Sequence, residues 1–474
     1  MRSRREQIRA YRFVTRRIVS ALLGGDPETA DPPMRRAGLT TFASVMVGAL
    51  VLAGFGVYGL VRPGGNTSWR NADTLIVEKE TGTRYVYRGH RLHPVLNYAS
   101  ARLVLGAADP ATVSVSERSL AGVPRGRPVG IPDAPDTLPA ADSLDPLPWS
   151  VCTAGQSSAV SGKPRVTVAV HRTVAGGAGM ADRGVLVHAA GEKPALLWHG
   201  HRFRIPDRTS MGSLGWTGER QVTVAPAFLN AIPAGPDLAP PPIDDRDAQG
   251  PPVAGAPAPV GTVYRMASAS GTDQYFVLLS DGLATVSELT AELLVGAQDG
   301  VSPEALSPSD YDSARLSKQD LEVDGQPTSQ PHLIDSDTAV DALCVAQGRH
   351  GSTGIRWYQS APGELTGRAT AAAGGTGEVG GPTADAVLVP GGGGALVRPT
   401  AAPGVPAGTT YVVTDQGMRY AVPDDDALAA LGYADVTPVR LSEDLLDLIP
   451  AGPVLDRTAA GRYAPGPSPS PSPS

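Results

Sequence analysis

AGLTTFASVMVGALVLAGFGVYGLV, residues Ala37–Val61, runs for 25 positions without a charged side chain. A helix rises ~1.5 Å per residue, so this stretch spans a hydrocarbon layer of about 30 Å with length left for tilt. It divides the chain into a short arm, residues 1–36, and a body of more than 400 residues. The arm holds nine arginines (Arg2, Arg4, Arg5, Arg9, Arg12, Arg16, Arg17, Arg35 and Arg36) against four acids, a formal charge of +5. The whole chain is −7, which leaves −12 after the arm. Basic flanks of a span stay cytoplasmic. The reading is a single-pass protein of the cell membrane, with the N-terminus cytoplasmic, a transmembrane helix over 37–61 and the C-terminal domain extracytoplasmic. The charged region is too long and the apolar run too extended for a cleaved signal peptide. Tyr58 and Trp69 are expected at the outer interface, where amphipathic rings are favoured.

Within the arm, Ile8, Tyr11, Thr15, Ile18 and Leu22 recur at helical spacing with arginines on the other faces, which predicts an amphipathic helix. Such a helix either lies on anionic lipid or docks to a cytoplasmic partner; the sequence favours neither.

The chain has 56 Gly, 45 Pro and only 5% aromatic residues. That composition favours short strands and turns over helical bundles. The acidic outer part argues against a nucleic-acid partner. The two cysteines, Cys152 and Cys344, both fall in the predicted exterior. In an oxidising compartment the simplest reading is a disulfide, worth roughly 5 kcal/mol in the chain-entropy estimate for so long a loop. Two free thiols or a redox site are the alternatives, the last weakened by the lack of a CxxC.

The body repeats itself. FLNAIPAGPDL (Phe228–Leu238) matches LLDLIPAGPVL (Leu445–Leu455), and ARLVLGA (Ala101–Ala107) matches AELLVGA (Ala291–Ala297). Upstream lie four β-rich runs: Leu75–Tyr87, Val185–Ile205, Val263–Leu279 and Tyr411–Val422. Each reads as a hairpin leading to a short helix, at Ala99–Gly106, Ala227–Ile232, Val286–Leu294 and Ser442–Leu448. The cysteines occupy equivalent slots between the first and second units and between the third and fourth. The expected fold is therefore α+β and β-rich, a pseudo-two-fold duplication with a central disulfide-linked core and four peripheral repeat modules. The expected order is module 1 at 74–107, the first core half with linker at 108–184, module 2 at 185–243 and a linker at 244–261. Module 3 follows at 262–297, the second core half with linker at 298–409, module 4 at 410–460 and a disordered Pro/Ser tail at 461–474. Gly122–Pro148, Pro236–Pro259 and Arg368–Gly394 read as Pro- or Gly-rich linkers, and Pro465–Ser474 as an extended low-complexity end.

Taken together, RREQIRAYRFVTRRIVSALL (Arg4–Leu23), the single span, LHPVLNYASARLVLG (Leu92–Gly106), WSVC (Trp149–Cys152), LCV (Leu343–Val345) and VPGGGGALV (Val389–Val397) resemble EccB, a membrane component of the type VII (ESX-type) secretion system of actinobacteria. The resemblance covers nearly the whole chain. It implies a structural and assembly subunit that works with the membrane proteins EccC, EccD and EccE, the first being the FtsK-like motor ATPase, and with the mycosin protease. It also implies a homo-oligomer within the complex. The family's outer domain has a β core joined by a disulfide, and peripheral units that resemble phage cell-wall-binding modules. Long Ala/Gly/Pro linkers and the Pro/Ser tail depart from the family pattern.

Some family members carry an ATPase label. A phosphate loop needs GxxxxGK[ST], whose backbone N–H groups, lysine and hydroxyl hold phosphates and Mg²⁺. The nearest string, GQSSAVSGKP (Gly155–Pro164), has two extra residues between its glycines and Pro164 in place of the hydroxyl. Gly391–Gly394 lacks a following lysine and reads as a turn. His199 and His201, with His188 nearby, would face one side of a strand but lack further metal ligands. Asp424, Asp425 and Asp426 read as a helix N-terminus. Asp136, Asp142 and Asp145 read as a solvated loop. No GxSxG elbow is present. The sequence thus supplies no catalytic residue, metal site or cofactor site, and leaves weak nucleotide hydrolysis as an open alternative without residues to carry it. The other alternative is a cell-wall-binding module, in which Trp198, Phe203, Trp216, Tyr275 and Tyr420 would grip polymer, although core packing is the more ordinary role for such rings.

Overall fold

The computed structural model describes residues 4–24, 34–61, 68–71, 73–144, 148–154, 163–172, 174–268, 271–298, 301–335, 337–348, 351–366, 382–402, 405–406 and 408–464. Arg2, Asp145, residues 155–162 of the glycine-containing string, most of the Arg368–Gly394 linker and the Pro465–Ser474 tail lie outside the described residues.

Arg4–Gly24 (α1) and Met34–Val61 (α2) are helices. In α2 the apolar side chains Leu39, Phe42, Val45, Leu52 and Phe55 are all exposed. Gly38–Tyr58 is long and apolar enough to cross a membrane, and a helix apolar on every face calls for an apolar surrounding. Tyr58 is exposed beside it, but Trp69 is 1% exposed. Trp69 packs with Ile76, Tyr85 and Leu92, so it is a core residue of the first outer sheet and not an interfacial ring.

Thr74–Glu78 (β1), Arg84–Arg88 (β2) and Arg91–Pro94 (β3) form an antiparallel meander. Tyr98–Leu105 (α3) follows, Ala111–Val115 (β4) returns parallel to β1, and Glu117–Leu120 (α4) ends the unit. Trp149–Ala154 (β5), Arg165–Ala169 (β6) and Ala178–Gly179 (β7) come next. The second unit is Val185–Ala189 (β8), Ala195–Trp198 (β9), His201–Arg204 (β10), Arg208–Ser213 (α5), Val222–Val224 (β11) and Pro226–Asn230 (α6). A hairpin of Gln249–Val253 (β12) and Ala256–Pro259 (β13) leads to the third. That unit holds Val263–Met266 (β14), Gln274–Leu279 (β15), Gly282–Val286 (β16), Glu288–Gly296 (α7), Glu304–Ala305 (β17) and Pro308–Ser313 (α8). Ala342–Gly348 (β18), Gly351–Tyr358 (β19), Gly363–Thr366 (α9) and Ala386–Leu388 (β20) return to the core. The fourth unit is Ala395–Ala402 (β21), Val405–Pro406 (β22), Thr410–Val413 (β23), Arg419–Val422 (β24), Asp425–Ala430 (α10), Val439–Ser442 (β25) and Glu443–Asp447 (α11), with Arg457–Ala460 (α12) after it.

The four outer sheets share one strand order: β3-β2-β1-β4, β10-β9-β8-β11, β16-β15-β14-β17 and β24-β23-β21-β25. In each, the last strand runs parallel to the first. The hairpin expected in each unit is therefore a three-stranded meander closed by a fourth strand. The fourth unit begins at Ala395 and not at residue 410, because β21 pairs with both β23 and β25.

The central sheet runs β20-β6-β5-β18-β19-β7. Two hairpins, β5–β6 and β18–β19, meet along β5 and β18, where Cys152 lies opposite Cys344. A disulfide joins them. Alternation along the strands sends Cys152, Ala154, Ala342 and Cys344 to one cluster with Tyr358 and Leu365. Trp149, Val151, Leu343 and Val345 go to the other, where Val187, Leu197 and Phe228 of the second unit and Val397, Val413 and Leu445 of the fourth cover them. The second and fourth units thus pack directly on the core. The first packs on the fourth and the third on the second.

Segments that read as linkers are also packed. Val129, Ile131, Ala134 and Leu144 in Gly122–Pro148 are buried, as are Leu238 and Val253 in Pro236–Pro259. Proline-rich backbone has few N–H groups to satisfy, so it lies extended over a neighbouring unit at little polar cost.

Candidate functional site

Two joints hold the outer units in pairs. In the first joint α3 meets α10, and in the second α7 meets α5. The helices start alike. Asn97 caps α3 and Ser287 caps α7 by accepting from the N–H groups of Ser100 and Thr290. Asp424 caps α10 and Asp207 caps α5 in the same way, accepting from Ala427 and Ser210 at 2.7 Å. At the first joint Arg102 Nη1 donates to Leu431 O at 3.0 Å, Arg457 Nε donates to Leu103 O at 3.3 Å, and Tyr433 Oη donates to Pro139 O at 2.8 Å. Burial pushes the Tyr433 hydroxyl well above its ordinary pKa. At the second joint Gln326 Nε2 donates to Asp237 O at 3.1 Å and Gln330 Nε2 to Leu214 O. A Cβ on Gly296 would lie 3.0 Å from Ser213 Cα and closer still to its side chain, so α5 and α7 approach at a small-residue contact.

A second recurring feature explains the IPAGP strings. After its last short helix, each unit lays an extended segment against the third strand, at the bridges Leu92–Arg125, Arg202–Ala234, Leu283–Leu316 and Arg419–Ala451. In the first, second and fourth, the next residue is glycine (Gly126, Gly235, Gly452), and its missing Cβ would fall within 2.2–2.4 Å of the rings of His93, Phe203 and Tyr420. In the third unit the ring is replaced by Ala284 and the glycine by Ser317. Glycine appears where a ring needs the space.

The second joint opens into a cleft of about 760 Å³ lined by Thr209, Ser213, Arg265, Tyr275, Glu292 and Gly296 among others. Glu292 Oε2 has no solvent contact and no hydrogen-bond partner. Burial, then the nearby Glu288 charge, raises the Glu292 carboxyl to about 7. Burial also raises Tyr275, helped by Glu288 and Asp273. Arg265 is 3.4 Å from Asp273. Of its lining, the sequence singles out Tyr275, as a candidate polymer-gripping ring, but not Glu292. The matched ARLVLGA and AELLVGA strings differ at Arg102 and Glu292, and that exchange was the available signal.

The residues named from sequence do not converge on one site. His199 lies in the tight turn between β9 and β10, with φ of 46° followed by 76° at Gly200, and not in a strand. This pair of positive angles is the hairpin geometry that glycine favours. His199 stacks on Trp198 at 3.8 Å and contacts Asp182 at 3.1 Å. His201 is tied to His199 O, and His188 is exposed. Among the described residues no group of three or more His, Cys, Asp or Glu is placed to hold a metal. Asp424 caps α10, with Asp425 and Asp426 in its first turn. Asp136 lies exposed in a loop, as expected, and there meets Arg84 at 2.6 Å and accepts from Tyr98 N at 2.9 Å. Asp142 accepts from Ser143 Oγ. Gly392 N donates to Asp415 in a turn ahead of β21. Lys163 is exposed and followed by Pro164. Phe203, Trp216 and Tyr420 are buried, and Trp198 and Tyr275 half-buried, so three of the five candidate wall-contacting rings are core. On α1, Arg4, Arg5, Arg9, Arg12, Arg16 and Arg17 are exposed together with Ile8, Tyr11, Ile18 and Leu22.

A sequence profile described as type VII secretion system ESX-1, transport TM domain B, matches residues 2–464. The chain is 33% identical to the ESX-3 secretion system ATPase EccB3 of Mycolicibacterium smegmatis, over 96% of this chain and 89% of that relative. It is 31% identical to the ESX-5 secretion system ATPase EccB5 of Mycobacterium tuberculosis, over 97% and 93%. Its fold is similar to a chain of an intact ESX-5 inner membrane complex (TM-score 0.64, 27% identity, 100% of this chain and 98% of that one). It is likewise similar to a chain of the EccB3 dimer from the ESX-3 core complex (TM-score 0.65, 29% identity, 83% and 100%).

Proposed function

The chain belongs to the EccB family of type VII secretion membrane components, and from that premise we propose how its parts divide the work. It is a structural subunit of the type VII secretion membrane complex, an oligomeric assembly with an extracytoplasmic part. The observation that carries this is the whole-chain match, from the arm through the last core helix, to subunits of ESX inner membrane complexes.

In the finer reading, α1 lies in the cytoplasm, α2 crosses the membrane, and everything from Ser68 onward stands outside as a scaffold. The charge asymmetry about α2 supports this orientation. The four sheets of one strand order, the two equivalent joints and the central strand pair at Cys152–Cys344 support a duplicated body of four modules on a two-fold core. Repeated faces suit repeated contacts in a symmetric assembly. EccC, EccD, EccE and a mycosin protease are the proposed partners, with α1 as the cytoplasmic contact. The test is co-purification from membranes of cells expressing the full chain or a chain lacking residues 2–23. Loss of the partner membrane proteins with the shortened chain supports the reading, and undiminished recovery of all of them rejects it.

The ATPase in the relatives' names attaches to those proteins. For this chain the proposed role needs no hydrolysis. A Lys163→Ala chain that released phosphate more slowly than the parent, at equal purity, would require revising that view.

A further inference from the structure

The two joints are built alike but finished differently. Arg102 is the fifth residue after its cap Asn97, and Glu292 is the fifth after its cap Ser287. Likewise Leu431 is the seventh residue after Asp424, and Leu214 the seventh after Asp207. At the first joint the Arg102 guanidinium lies 4.9 Å from the Tyr98 ring and donates to Leu431 O. At the second, Tyr98 is replaced by Glu288 and Arg102 by Glu292, and the Leu214 carbonyl is served by Gln330. At the helix position where the first joint carries a cation, the second carries Glu292, which lines a cleft of about 760 Å³ and whose inner carboxylate oxygen has no partner. Gly212 and Ser213 on α5 and Gly296 on α7 line it, and α5 and α7 come into contact at Ser213 and Gly296.

We propose that this cleft between the second and third units is a receptor for a cationic side chain, arginine or lysine, presented by a protein partner. Glu292 is the counter-charge, with Glu288 adding to the negative potential. A guanidinium entering the cleft restores in trans the cation that Arg102 supplies in cis. Arg265 does not fill this role, since it is held by Asp273 on its own sheet. The other groups at the site are the Tyr275, Ser213 and Thr209 hydroxyls, which can accept from the incoming donor. An ionised carboxylate binds the cation better than a protonated one, so affinity rises with pH through the range in which Glu292 titrates. The inference rests on the equivalence of the two joints.

The test uses the full chain in detergent with N-acetyl-arginine amide as probe and N-acetyl-norleucine amide as its uncharged control, followed by saturation-transfer NMR. The expected result is binding of the arginine probe at pH 8, no binding of the control, weaker binding at pH 5.5, and at least a tenfold loss in Glu292→Gln. Binding of both probes alike, absence of arginine binding, or full affinity in Glu292→Gln overturns the receptor. Glu292→Arg separates that failure from failure of the premise. If the joints are equivalent, this variant melts higher than the parent and no longer binds the probe. A lower melting midpoint rejects the equivalence whatever the probe does.

Discussion

Cys152 and Cys344 face each other across the two central antiparallel strands, with their Cα atoms 4.0 Å apart. The cross-link spans 192 residues of sequence and sits where the two hairpins of the central sheet meet. Its removal frees a very long loop in the unfolded chain, so Cys152→Ala with Cys344→Ala should cost about 2–5 kcal/mol. Thermal unfolding with and without reductant checks this. The parent should fall toward the double variant on reduction, and the variant should not respond.

The glycines after the short helices carry a steric prediction. A methyl at Gly235 or Gly452 would enter the rings of Phe203 or Tyr420, both buried. Gly235→Ala and Gly452→Ala should each destabilise by ~1–3 kcal/mol. Gly218→Ala, which meets nothing within 4 Å, should stay within ~0.5 kcal/mol of the parent. Denaturant midpoints compared across the three variants read the difference directly.

Glu292 should give the body a pH dependence of a definite sign. Its carboxyl is raised to about 7 from an ordinary 4.5, so between those values the folded state holds a proton that the unfolded state has lost. That contribution is fully present below the unfolded value and disappears as pH climbs through the folded one. Stability should therefore fall between about pH 4.5 and 7 and level off above. In Glu292→Gln this part of the slope should vanish, as seen in melting midpoints taken across the range.

Capping separates two neighbouring aspartates. Asp424 accepts the Ala427 N–H, whereas Asp425 lies in the first turn of the helix. Asp424→Ala should cost about 1 kcal/mol. Asp425→Ala should cost only a few tenths to about 1 kcal/mol, through the helix dipole, and less at high salt. Melting at low and high ionic strength distinguishes them.

Much of this architecture is legible in the residues because it depends on local pattern. The uncharged run Ala37–Val61, the alternating runs that became β1, β8, β14 and β23, the paired cysteines and the repeated IPAGP all announce themselves. What escapes is non-local. The closing strands β4, β11, β17 and β25 are short, as few as two residues in Glu304–Ala305, and owe their state to pairing with the first strand of each unit. Trp69 sits close enough to the span to pass for an interfacial ring, yet Ile76 and Leu92 bury it. Proline content suggested free linkers at Gly122–Pro148 and Pro236–Pro259, while the apolar side chains between the prolines bind them to neighbouring units. The Glu292 cleft is the hardest case, because a single charge reversal within a matched string has meaning only once the two joints are seen side by side.

The unit that follows the membrane stem is completed by residues more than 300 positions further along: Ala464 N donates to Pro128 O, and Tyr463 pairs with Val129 and stacks on His93. A polypeptide delivered N-terminus first exposes that opening unit hundreds of residues before its cover exists. The flank at Val129 must wait half-paired until Tyr463 and Ala464 arrive, and a ribosome that stops before them leaves the stem attached to an unfinished base.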